Sequence, residues 1–156
     1  MDSNTFWDAV RSGNVEVIKN YLTQQPAAIN QQNERGFTPL ILAAYYDQQG
    51  VLDYLIAQGA DIHAQDAVGN TALMGACFKG YAAVIEKLIG LGADVNVRNT
   101  QGATALIYAT MFNKPAIASL LMANGADASI KDGEGKTAVD HAKAQGFAWA
   151  NEVFAN

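Results

Sequence analysis

The chain has 156 residues, of which half are hydrophobic and 16% charged, and its 15 acidic against 10 basic side chains leave a net charge of −5. That is the composition of a folded chain about one ordinary domain long, not of a disordered one. The acidic balance, with no cluster of Lys and Arg, argues against nucleic acid and anionic membranes; a lone Cys77 excludes an internal disulfide framework; no apolar run reaches the roughly 18 residues of a membrane helix.

The N-terminal stretch MDSNTFWDAV is acidic and then amphipathic. It lacks the basic and apolar regions of a signal peptide, so the cytoplasm is the expected compartment, with the periplasm or export as the alternative if a leader has been removed. The first predicted helix starts at about residue 5 and reverses at Gly13. The second carries Val17/Ile18 and Tyr21/Leu22 at helical spacing, and this first unit runs to about residue 33. It is one residue longer than later units before Pro26, which stands where they carry glycine.

From Gly36 onward the sequence repeats. Gly36, Gly69, Gly102 and Gly135 fall 33 residues apart, as do Thr38, Thr71, Thr104 and Thr137, and Ala43, Ala76, Ala109 and Ala142. The triplet Gly-Ala-Asp recurs at 59–61, 92–94 and 125–127, and Asn33, Asp66, Asn99 and Asp132 close successive units. Each mark has a physical role. The threonines open apolar runs, where a hydroxyl can cap exposed backbone N–H groups, and Pro39 falls on a first helical position. Gly13, Asp47, Gly80, Asn113 and Gly146 occupy the reversals and tolerate positive φ. The second helices carry Val51/Leu52 with Leu55/Ile56, Val84/Ile85 with Leu88/Ile89, and Ile117/Ala118 with Leu120/Leu121. The Gly of each triplet ends its helix, and the closing Asn or Asp can bond the amides of the following turn.

A 33-residue unit of turn, helix, reversal, helix and loop resembles the ankyrin repeat. GFTPLILAA (36–44) is the nearest copy of that family's motif, followed by GNTALMGAC, GATALIYAT and GKTAVDHAK. The resemblance implies an all-α solenoid of about five stacked helix-turn-helix units with β-turn and loop connections. The units are about 5–33, 34–66, 67–99, 100–132 and 133–156, within one domain spanning 1–156, and both ends are atypical. The family's histidine is replaced by Ile41, Met74, Ile107 and Asp140, so apolar packing should take over at the first three. In the last unit Trp149, Val153 and Phe154 should cover the open face, with Asn151 and Glu152 in water. The closest look of the repeats is that of small stand-alone bacterial ankyrin proteins, some of them exported.

The resemblance also implies a binding surface: the last exposed positions of each first helix, which line the concave side, and the tips of the turns. By register these helix positions are Arg11/Ser12, Tyr45/Tyr46, Phe78/Lys79, Met111/Phe112 and Ala144/Gln145. The tips are Glu34, Arg35 and Phe37; Val68 and Asn70; Gln101 and Ala103; Glu134 and Lys136. Tyr45, Tyr46, Phe78, Met111 and Phe112 would form one apolar stripe on the middle units with polar or small ends, the anatomy of a protein interface. The competing expectation is that these side chains fold down into the grooves between repeats. The expected partner of this expected monomer is another protein, met by Arg35, Phe37, Tyr45, Tyr46, Asn70, Phe78, Lys79, Gln101, Met111 and Phe112. The alternatives are a small-molecule or enzymatic role in the concave groove, and self-association.

No residue is assigned a catalytic, cofactor-binding or metal-ligating role. His63 and His141 lie more than two repeats apart and cannot share an ion whose ligands sit within about 2.3 Å; capping or surface roles suit them better. Cys77 fills a slot for a small buried residue. Asp61, Asp94 and Asp127 are too regularly spaced for an acid/base pair, and Asp132-Gly133-Glu134-Gly135 reads as a turn, not a calcium loop.

Overall fold

The structure, a computed structural model, describes residues 2–155. Among them the regular structure is ten α-helices and one 3-10 turn, with no strand. The helices pair in order: α1 (Ser3–Ser12) with α2 (Val15–Gln24), α3 (Pro39–Tyr45) with α4 (Gln49–Ala57), and α5 (Ala72–Lys79) with α6 (Ala82–Gly90). Then come α7 (Ala105–Met111) with α8 (Pro115–Ala123), and α9 (Ala138–Gln145) with the short α10 (Ala150–Val153). Each pair packs as a hairpin, and the first helices stack in the order α1, α3, α5, α7, α9. Ala43, Ala76, Ala109 and Ala142 are fully buried in that stack, where a small side chain lets neighbouring helices approach.

Local chemistry sets the helix ends. The hydroxyls of Thr38, Thr71, Thr104 and Thr137 accept from the N–H groups of Ile41, Met74, Ile107 and Asp140 at 3.1 to 3.3 Å. Asp140 returns the bond to the Thr137 amide at 2.9 Å, completing a capping box. All five reversal residues take positive φ, including Asp47 and Asn113 at 56°. Pro26 cannot take the positive φ that Gly59 uses in the next unit. There the chain forms a 3-10 turn, Pro26–Asn30, after an α2 of 10 residues.

The turns are built by the closing residues. One side-chain oxygen each of Asn33, Asp66, Asn99 and Asp132 accepts two backbone N–H groups at 2.8 to 3.0 Å. Three further columns tie unit to unit. Asn30, His63 and Asn96 accept from the amides of Asp61, Asp94 and Asp127 in the next unit. Gln32, Gln65 and Arg98 donate to the carbonyls of Gln65, Arg98 and Lys131. The Thr100 and Gly133 amides donate to the carbonyls of Val68 and Gln101. His63 is therefore exposed, as a surface residue should be, but its Nε2 also stitches two repeats together.

The core runs along the stack from Phe6 to Ala138. Ile41, Met74 and Ile107 are buried in it, so apolar contacts do replace the family's histidine there. At one end Phe6 stacks on Tyr21 and Trp7 meets Phe6 edge-on. At the other, Trp149, Val153 and Phe154 pack on the core while Asn151 and Glu152 are exposed. The Trp149 indole N–H donates to Asn113 at 2.8 Å.

Two substitutions test this frame. Thr104→Ala leaves the Ile107 amide of a buried cap without its partner and should cost about 1–2 kcal/mol in urea unfolding. Gly69→Ala should cost more than about 1 kcal/mol, because φ there is 81° and a Cβ would lie 2.7 Å from the Thr100 amide nitrogen.

Candidate functional site

The C-terminal ends of α3, α5 and α7 bring their aromatic residues into one row. Tyr45 stacks on Phe78 with centroids 6.0 Å apart, Phe78 meets Phe112 edge-on at 4.9 Å, and Phe112 meets Tyr108 at 5.9 Å. Phe37, from the turn before α3, extends the row onto Tyr45 at 6.2 Å. The row is not sealed: Tyr46 is 47% exposed, Phe78 40%, Met111 41% and Phe112 44%, while Tyr45 and Phe37 are half-buried. Lys79 is exposed with its ammonium 5.1 Å from the Tyr45 centroid. Arg35 and Gln101 are exposed at their tips and Asn70 is half-buried; Ala103 is buried, which removes it from the tips. The flanking Ser12, Ala144 and Gln145 are exposed, so the row ends in polar or small surface.

Beneath the row is a cavity of about 360 Å³. Its cause is one position in the repeat. Leu42, Gly75, Tyr108 and His141 occupy the same place in successive first helices, and in the last two units the side chain there meets the closing residue nine positions earlier. Tyr108 accepts from Asn99 at 2.8 Å and donates to Asn70 at 3.0 Å. His141 Nε2 lies 2.7 Å from Asp132 Oδ2. Gly75 has nothing to put there: a Cβ would meet only the edge of Tyr45, at 3.4 Å. The space stays open between Met74 and Gly75 below, the rings of Tyr45, Phe78 and Phe112 around it, and Asp66, Asn70 and Gln101 at the turns. Gly75, Asp66 and Tyr108 are absent from the residues the sequence reading selects. The 33-residue spacing of Leu42, Gly75, Tyr108 and His141 is the signal that could have found them.

The remaining chemistry-bearing groups serve the frame. Cys77 is fully buried, and that burial pushes its thiol up to about 12, which removes thiolate reactivity near neutral pH. His141 is half-buried, not a surface residue, because it fills the slot beside Asp132. Burial pushes the Asp132 carboxyl upward. Its bonds from His141 and from the Lys136 and Glu134 amides outweigh that, and the net result lies below the usual aspartate range. Asp61, Asp94 and Asp127 each accept from the amide two residues on, as turn residues do.

A family model described as ankyrin repeats (three copies) matches the chain over residues 6–99 and again over 73–152. The chain belongs to the ankyrin repeat family. No curated protein matches it significantly. Ankyrin repeats generally act as protein–protein interaction modules and are generally not enzymes. Among the described residues no helix is long and apolar enough to cross a membrane.

Two outcomes are expected at these sites. Gly75→Ala should stabilise the protein by about 0.5–1 kcal/mol, read from urea midpoints, because a mid-helix glycine at ordinary φ gains from a Cβ that meets no clash. A carboxyl whose folded pKa is lowered stabilises above its unfolded value, near 4, and loses that contribution as pH falls through the folded value. Thermal melts should therefore fall as pH drops from about 5 toward 2. Asp132→Asn, the type found at Asn33 and Asn99, should flatten part of that fall; an unchanged profile would assign it to other carboxylates.

Proposed function

We propose that this ankyrin repeat chain is a non-enzymatic binding module, with residues 1–156 acting as one domain and monomeric when alone. It holds a segment of another protein on the first-helix face, taken as the concave one, and on the turn tips. The observation that carries this reading is the row Tyr45–Phe78–Phe112, continuous across three units, with Phe78 and Phe112 exposed and Tyr45 half-buried. A monomer leaves few apolar groups clustered in water without a use for them, and an apolar centre within a polar rim is what partners bury. Tyr46 and Met111 widen the centre; Met111 can repack against an irregular surface. Arg35, Phe37, Asn70, Lys79 and Gln101 supply the rim from the tips and helix ends.

A second reading rests on the cavity beside Gly75, whose volume is within the range of small-ligand sites. In that case a small molecule, not a polypeptide, would occupy the row.

The test compares wild type with Tyr45→Ser/Phe78→Ser as bait. Both should sediment as monomers over a range of concentrations and melt within a few degrees of each other. A protein retained by wild type should be lost with the double variant. Equal retention would place the binding surface elsewhere, and concentration-dependent association of wild type alone would replace a foreign partner with a second copy.

A further inference from the structure

The floor of the aromatic row contains one charged group. Asp66 lines the cavity, and none of the residues lining it carries a positive charge. Its Oδ1 is used by the turn, accepting from the Val68 and Asn70 amides at 3.0 and 2.8 Å. Its Oδ2 is the counterpart of Asp132 Oδ2, which His141 meets at 2.7 Å. In the Asp66 unit the position of His141 is held by Gly75, and among the described residues no hydrogen bond reaches Asp66 Oδ2. Among the described residues Asp66 enters no ion pair. Lys79, a cation on the row, rests on Tyr45 and does not line the cavity.

The site thus combines a carboxylate that enters no ion pair, unlike Asp132 with His141, with a wall of aromatic rings. A carboxylate in partly apolar surroundings favours a cation that can also donate hydrogen bonds, and ring faces attract the same cation. An alkyl stem would lie along Phe78, Met111 and Phe112 while its charged head reached Asp66. We infer that the Gly75 cavity is a specificity pocket for one basic side chain, a lysine or arginine, of the bound polypeptide. The inference rests on the groove reading above and names what that groove selects. The acidic chain as a whole, at −5, attracts a basic segment in the same sense.

The side chain that Gly75 omits is the one the partner inserts. In the neighbouring units the same position carries Leu42, which is buried, and Tyr108, whose hydroxyl bonds Asn99 and Asn70.

The experiment is an NMR titration of the full chain with capped tripeptides: Gly-Arg-Gly, Gly-Lys-Gly, Gly-norleucine-Gly and Gly-Glu-Gly. The basic peptides should shift the Asp66 and Gly75 amides and the Tyr45 and Phe78 rings; the glutamate peptide should not. Asp66→Asn should weaken the basic peptides about tenfold or more. The fold should tolerate it, because Asn33 and Asn99 make the same turn bonds. Gly75→Leu, the residue of the preceding unit, should abolish binding with the melting temperature unchanged or raised.

Equal binding of the norleucine and basic peptides would overturn the charge assignment while leaving an apolar groove intact. Shifts unaffected by Asp66→Asn, or no shifts with either basic peptide, would overturn the pocket, and the Tyr45→Ser/Phe78→Ser comparison would still decide the groove. Butylguanidinium binding as tightly as the arginine peptide would assign the pocket to a small organic cation and overturn a polypeptide occupant.

Discussion

A short helix cannot bury its own apolar face. The helices of this chain's middle units have seven to nine residues, below the length at which a helix persists in water by itself. Each hairpin is completed by the next, and the same contact must be made at every junction. That constraint fixes a constant displacement per unit, so residues 33 apart become spatial neighbours in columns. The threonine, alanine and Asn/Asp columns are uniform because every junction needs a cap, a close approach and a turn. Columns the junction does not need are free to vary, and those are where this chain carries its individual chemistry.

The column of Leu42, Gly75, Tyr108 and His141 shows how one frame position yields different outcomes. Leucine is buried there, tyrosine joins an amide network with Asn70 and Asn99, and histidine meets the Asp132 carboxylate. Glycine leaves it empty, under rings that the neighbouring units hold in place. The opening comes at a cost in helix propensity of about 1 kcal/mol relative to alanine, which the buried Leu73 and Met74 beside it offset through packing. A groove placed at the centre of the array sits on its best-supported units, since both neighbours of α5 are complete hairpins.

Much of this was legible in the sequence because its causes are local. A threonine before an apolar run, a glycine or asparagine at a reversal, and an Asn or Asp at a turn each act within four residues, and all appear where expected. The aromatic row was legible by register, since Tyr45, Phe78 and Phe112 belong to adjacent positions of successive units. What lay beyond reading depends on the displacement between units. Asn30, His63 and Asn96 reach the next unit's backbone, yet nothing local distinguishes them from surface residues. Ala103 was expected at an exposed tip and is buried, because the turn leans onto its neighbour. The cavity required knowing that Tyr45 lies over Gly75 without filling the space beside it.

The claim on which the rest turns is that the row on α3, α5 and α7 faces solvent when the chain is alone. Methyl NMR on dilute free protein, with a soluble paramagnetic probe, measures this on two internal standards: Met111 in the row and Met74 in the core. The account predicts strong relaxation of the Met111 methyl and of the Phe78 and Phe112 rings, with Met74 protected. Equal protection of Met74 and Met111 would mean that the row is sealed, and would contradict it.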